Sequence, residues 1–244
     1  MENNVIFLGD VHAEFKTMIF HMKRLKISNS TIIQVGDFGM GFSNNDKLNL
    51  LVINVFLRSI NSTMLVIRGN HDDPSCFTGD YSYSHIKLLP DYTTLNINDK
   101  KYLFIGGALS LDRVKRIELM KPNKWGKSGK ICYWEEEVFK LDEEKIKNIS
   151  GVDVLVTHTT PEFCFPYLSE SHSQMVEDNA KIDKYLKLDL AKERHDVGRL
   201  FELLKEKNNI KYHAYGHFHS SHTDEFNECK HTLLNIYEFK ELFR

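Results

Sequence analysis

The sequence predicts a mixed α/β (α+β) chain. Three observations lead there: short apolar runs of strand length, amphipathic stretches between the first of them, and strand-length pairs about tight turns later on. The apolar runs cover residues 5–8, 32–35, 64–67, 152–156 and 212–215. Runs without polar alternation suit parallel strands covered on both faces.

Taken in order, the elements follow from spacing. After the first run, residues 14–26 place Phe15, Met18, Ile19, Met22 and Leu25 on one helical face. After the second, residues 48–60 do the same with Leu48, Leu51, Val52, Val55 and Phe56. Alternation of strand and helix predicts βαβ units. The middle of the chain differs. Residues 88–89, 93–97 and 102–105 read as short strands, with Asn98-Asp99 turning a hairpin. Residues 108–134 and 159–194 lack a core pattern and are expected as loop insertions over the site. The first of these carries Asp112, Arg113, Lys115, Arg116, Lys121, Lys124, Trp125 and Lys127. Helical spacing returns over 194–207 through Val197, Leu200, Phe201 and Leu204, and 222–226 with 232–237 suggest a last hairpin. No repeat or linker interrupts the pattern, so residues 1–244 are expected to form a single domain.

A formal net charge of −2 argues against broad affinity for long nucleic acid or anionic membrane. Cys76, Cys132, Cys164 and Cys229 are scattered and read as reduced thiols, which predicts a cytoplasmic protein. A strand expected at the very start leaves no room for a secretory signal. No run is long and apolar enough to span a bilayer.

Each apolar run ends in, or is followed by, residues with metal-donor side chains. The five fragments are Gly9-Asp10-Val11-His12, Gly36-Asp37, Arg68-Gly69-Asn70-His71-Asp72, Thr157-His158 and Gly216-His217-Phe218-His219. Ligands of open α/β sheets gather beyond the carboxyl ends of the strands. The five strands are therefore expected to bring these side chains to one edge of one sheet. Oxygen and nitrogen donors suit hard or borderline divalent metals. Residues two apart in an extended segment point the same way, so Asp10 and His12 are expected to share an ion. Singly, each has an ordinary alternative: a helix cap for Asp10, a turn for Asp37, a satisfied core histidine for His158.

The ordered set resembles the calcineurin-like metallophosphoesterase family. That family's pattern is Asp-x-His, Gly-Asp, Gly-Asn-His-Asp/Glu, His and Gly-His-x-His, and every element stands here in order. The resemblance implies a two-sheet β-sandwich flanked by helices, with the site at the C-terminal edge of the strands. It implies two divalent ions: Asp37 bridges them, Asp10, His12 and His219 complete one site, and Asn70, His158 and His217 complete the other. It also implies an in-line attack on phosphorus by a hydroxide held between the ions. His71 would then be catalytic, assisting the leaving oxygen, with Asp72 a candidate to orient it. Mn²⁺ is the expected metal, with Fe, Zn or Ni also compatible with the donors.

Substrate choice is less defined. Asp37 is followed by Phe38-Gly39-Met40, without the Asp-Arg-Gly segment of the superfamily's protein Ser/Thr phosphatases. Arg68 either contacts substrate, supports the site from behind, or pairs with a carboxylate. The segment Gly106-Gly107-Ala108-Leu109-Ser110-Leu111-Asp112-Arg113, with Trp134-Glu135-Glu136-Glu137, is similar to a bacterial and phage subgroup of the family. Arg113 and Arg116 can grip phosphate oxygens in pairs of hydrogen bonds; Arg113 can instead pair with Asp112 or the glutamates. His172 and His195 lie in or beside the second insertion and are further candidates. The expected activity is phosphomonoester hydrolysis of a small phosphate ester or nucleotide. The alternatives are a phosphodiesterase or nuclease, and a non-catalytic protein-binding scaffold. No membrane or protein partner is expected.

Overall fold

The first three strands are short segments centred on apolar residues that are buried on both faces. A computed structural model describes residues 4–81, 83–122, 131–167 and 169–243. In chain order these residues form β1 (Asn4–Leu8), α1 (Phe15–Arg24), β2 (Ser30–Gln34), α2 (Asp46–Ser59), β3 (Thr63–Val66), β4 (Ile86–Leu88), β5 (Thr93–Ile97) and β6 (Lys100–Ile105). There follow α3 (Arg113–Met120), α4 (Glu143–Ile146), β7 (Val154–Thr157), α5 (Glu170–Ala180), α6 (Leu186–Lys205), β8 (Tyr212–Tyr215), β9 (His222–Phe226), β10 (Cys229–Leu233) and β11 (Phe239–Lys240).

Two sheets result. One runs β11-β1-β2-β3-β4, the other β5-β6-β7-β8-β10-β9. In the first, β1 to β4 are parallel and β11 is antiparallel at the edge. In the second, β6, β7, β8 and β10 are parallel, with β5 and β9 antiparallel outside them. The expected single sheet is thus corrected: the five ligand-bearing strands divide between two. The period of two along each strand explains the layering. Val5, Phe7, Ile33 and Leu65 face Tyr102, Phe104, Val154, Val156 and Ala214 across the sandwich. Ile6, Leu8, Ile32, Met64 and Val66 turn outward onto Met18 and Met22 of α1 and Leu50, Ile53 and Leu57 of α2. On the far side, Leu103, Ile105 and Leu155 pack against Val197, Leu200 and Leu204 of α6. The layers are helix, sheet, sheet, helix.

The expected hairpins form. Ile97 pairs with Lys100 around Asn98, whose φ is +53°. The last hairpin turns at Asn227 and Glu228, and its second strand begins at Cys229, earlier than the spacing suggested.

Two helical expectations need correction. Of the face expected for α2, Leu48, Leu51, Val52 and Val55 are exposed, and Leu50, Ile53 and Leu57 are the buried apolar residues. The described parts of the stretches expected as loop insertions contain helices. They carry α3, α5 and the first turns of α6, which starts at Leu186. α5 buries no residue and α3 buries only Arg116, so neither shows an apolar stripe. Lys124, Trp125 and Lys127 lie outside the described residues. No helix among the described residues is long and apolar enough to cross a membrane.

Candidate metal centre

The ligand-bearing fragments follow the carboxyl ends of β1, β2, β3, β7 and β8, and both sheets present those ends at one side of the sandwich. Here the backbone leaves extended geometry at once. His12, Asp37, His217 and His219 have φ of +50°, +56°, +72° and +49°. Side chains in this left-handed region carry a steric cost of about 1–2 kcal/mol each, which is concentrated at functional sites. The pleat therefore does not bring Asp10 and His12 together. A turn at His12 does, fixed by the Val11 and His12 N–H groups donating to the Asp37 carbonyl at 3.0 and 2.8 Å.

Two clusters of donors converge. Asp10, His12, Asp37 and His219 offer one ligand atom each within 4.8 Å of one another, and so do Asp37, His158 and His217. Asp37 belongs to both. His219 Nε2 lies 3.2 Å from Asp10 Oδ2 and 2.9 Å from His12 Nε2. His158 Nε2 lies 3.1 Å from Asp37 Oδ1 and 3.2 Å from Asn70 Oδ1. All seven residues expected as ligands are thus brought together. Glycine lets the backbones come this close: a Cβ at Gly69 would overlap Asp37 Oδ1, and one at Gly216 would overlap Asp10 Oδ1.

The electrostatics suit cations. Burial alone would raise the Asp37 carboxyl, but His158, His71 and His12 hold it well below the usual range. Burial opposes charge on His158, yet Asp37 above all pushes it up to about 9. Burial and His158 drive His217 well below the ordinary value. His158 Nδ1 donates to the Val35 carbonyl at 2.8 Å, which leaves Nε2 facing Asp37 and Asn70. An acceptor on the remote nitrogen is how metal-binding histidines are oriented. Buried carboxylates, imidazole nitrogens and an amide oxygen with a shared carboxylate are a donor set that two divalent ions fit.

The surrounding residues hold this arrangement. Asp72 does not orient His71. Its carboxylate accepts N–H bonds from Phe38 and Gly69 on one oxygen and from Gly39 and Met40 on the other, at 2.7–3.0 Å. It joins the loops after β2 and β3. His71 donates its peptide N–H to Asp37 Oδ1 at 2.7 Å, and its ring stacks on Phe42, which meets Trp134 edge-on. Burial lowers the His71 imidazole, with Asp37 opposing.

The arginines expected to hold substrate are engaged elsewhere. Arg68 is buried, bound twice to Asp91 and to the carbonyls of Glu136, Glu137 and Val138, which uses all its donors. Arg113 pairs with Asp183 and Asp189, not with Asp112 or the glutamates. Arg116 is buried and bound to Ser110, Cys132 and the Asn70 carbonyl. All three therefore act as supports in this structure. His172 lies against Phe218, between His217 and His219, with Arg194 over the same ring. His195 is placed apart, lining a cleft of about 640 Å³ beside Phe163, Phe226 and Cys229. The sequence reading missed Gln34, whose amide ties Gly9 and Gly36 together, and missed Ser110 as a partner of Asn70. A lone polar residue inside the apolar run 32–35 was the available signal for Gln34.

A two-sheet sandwich flanked by helices, with a shared-carboxylate donor cage at its strand ends, is consistent with the metallophosphoesterase fold. The chain belongs to the calcineurin-like phosphoesterase family, whose sequence pattern matches residues 4–221. The family is dinuclear-metal dependent. Its fold is similar to TT1561 of Thermus thermophilus, with TM-score 0.57 and 9% identity over 99% of this chain and 95% of that one. It is also similar to phosphopantetheinyl hydrolase PptH from Mycobacterium tuberculosis, with TM-score 0.51 and 12% identity over 96% and 90%. At such identities the likeness concerns the fold alone. No curated protein matches the chain.

Proposed function

We propose that the chain is a dinuclear phosphoesterase, acting as one domain in the cytoplasm with Mn²⁺, and that it hydrolyses a small phosphomonoester or nucleotide. The observation that carries this reading is the membership of Asp37 in both donor clusters, with His71 at its side. Asp10, His12, Asp37 and His219 would hold one ion; Asp37, Asn70, His158 and His217 would hold the other. Two ions held there supply Lewis acidity at phosphorus and a water acidic enough to attack near neutral pH. His71 serves the leaving oxygen. Burial lowers its imidazole in the free site, with Asp37 opposing, and an incoming phosphoryl anion would favour its protonated form. Phe42 and Trp134 beside it shape the space where a planar leaving group would rest. Free cysteines at all four positions agree with a reducing compartment.

The test is a panel of phosphomonoesters and phosphodiesters with Mn²⁺, run on the parent, His71→Ala and Asp37→Asn. His71→Ala should keep both ions and lose about 10²–10⁴-fold in rate. Asp37→Asn should lose metal as well as activity. Unchanged turnover in both variants would remove this mechanism. Faster cleavage of a bis-aryl than of a mono-aryl phosphate would make the enzyme a diesterase instead.

A further inference from the structure

Asn70 presents a problem that the aspartates do not. The two ends of its amide have nearly the same shape, but only the oxygen can bind a cation. Something must choose which end faces the ions. In the structure Asn70 Nδ2 donates to Ser110 Oγ at 2.9 Å, and Oδ1 faces His158 Nε2. Ser110 is itself held by other groups. Its Oγ accepts a hydrogen bond from Arg116 Nη1. Its peptide N–H reaches Glu137 Oε1 at 3.3 Å. Arginine can only donate and a carboxylate can only accept. Arg116 and Asn70 Nδ2 both donate to the one hydroxyl oxygen, and the Glu137 carboxylate holds the Ser110 backbone from the other side. The amide thus turns its NH₂ to Ser110 and its oxygen to His158.

Other contacts fix the frame. Arg116 Nη2 donates to the Asn70 carbonyl at 3.0 Å, and Nη1 lies 3.7 Å from Glu137 Oε2. Ala108 N–H donates to the Glu137 carbonyl at 3.1 Å. Ser110, Arg116 and Glu137 are all at least nine-tenths buried. The segment around Ser110 and the glutamate run after Trp134 thus meet behind one side chain.

We infer that Ser110, Arg116 and Glu137 are positioning residues that lock the Asn70 amide with its oxygen toward the second ion, and so set that ion's affinity. The inference rests on the dinuclear reading above. Partners behind a ligand typically change metal affinity about 10–100-fold when removed.

The experiment is calorimetric titration with Mn²⁺ of the full chain, for the parent, Ser110→Ala, Asn70→Asp and the double variant. A carboxylate offers an oxygen whichever way it turns, so it does not need the lock. Ser110→Ala should weaken one of two ions at least tenfold in the Asn70 background and leave the other within about twofold. In the Asn70→Asp background the same change should cost less than about threefold. Equal losses in both backgrounds would reduce Ser110 to packing and overturn the inference, as would no loss at all. Should Ser110→Ala fail to fold, Glu137→Gln, which keeps the shape but adds a competing donor, is read by the same criteria. A parent chain that binds fewer than two ions would instead overturn the dinuclear reading beneath it.

Discussion

Asp72 shows how much of this site is held by a residue that never touches an ion. It accepts four peptide N–H bonds and is wholly buried. Burial and the charge of Asp37 push its carboxyl up to about 7, while the amides of Gly69, Met40 and Gly39 pull it down. Asp72→Ala leaves those donors without a partner, at about 1–3 kcal/mol for each one that water does not reach. We expect a loss of about 3–5 kcal/mol in urea denaturation, together with loss of bound metal. A stable variant with normal metal content would contradict this role. Glu193 of α6 gives a pH test with the opposite sense to most carboxylates. Burial raises it from 4.5 to about 7, against hydrogen bonds from Thr159 and Phe139. The folded chain then binds the proton more tightly than the unfolded one. Stability falls as pH rises from 4.5 to 7, and the full penalty, about 3 kcal/mol at most, applies above 7. Glu193→Gln should melt about 5–10 °C above the parent at pH 8 and close to it at pH 4.5. An equal difference at both pH values would refute the assignment.

At the scale of the element, α2 separates what its sequence reveals from what it hides. Eight of its fourteen residues are apolar, enough to draw two stripes. The sequence reading took the stripe through Leu51 and Val55, and packing took the one through Leu50, Ile53 and Leu57. Leu50→Ala or Ile53→Ala should cost about 2–5 kcal/mol in urea unfolding. Leu51→Gln and Val55→Gln should stay within about 0.5 kcal/mol. The reverse order would restore the first reading. β1, β2, β3, β7 and β8 were legible because apolar runs and the donors after them are both local signals. Their division between two sheets was not, since a strand covered on both faces looks the same in either sheet. α3 and α5 were hidden for a different reason: helices that bury almost nothing carry no stripe to read. Which groups Arg68 and Arg116 bind was hidden because Asp91, the backbone of 136–138 and the Asn70 carbonyl are distant from them along the chain.

For the whole molecule, the donor cage is a seam. Asp10, His12, Asp37 and Asn70 come from the first sheet, and His158, His217 and His219 from the second. Ions bound there would join the two halves of the sandwich, so their binding free energy adds to its stability. At one hundred times the dissociation constant each ion contributes about 2.7 kcal/mol, which for a chain of this size raises Tm by about 5–10 °C. Protons compete for the same place. His158 is raised from 6.5 to about 9 in the metal-free fold, so its pairing with Asp37 stabilises that fold below 6.5 and is lost as pH climbs to about 9. Metal binding must displace that proton. The Mn²⁺-induced rise in Tm should therefore grow between pH 6 and pH 8. It should vanish in Asp37→Asn, which serves both clusters, and fall by roughly half in His217→Ala, which serves one. Differential scanning calorimetry with and without chelator reads all three. A shift equal in the parent and in Asp37→Asn would mean that the ions bind elsewhere and that the sheets meet without them.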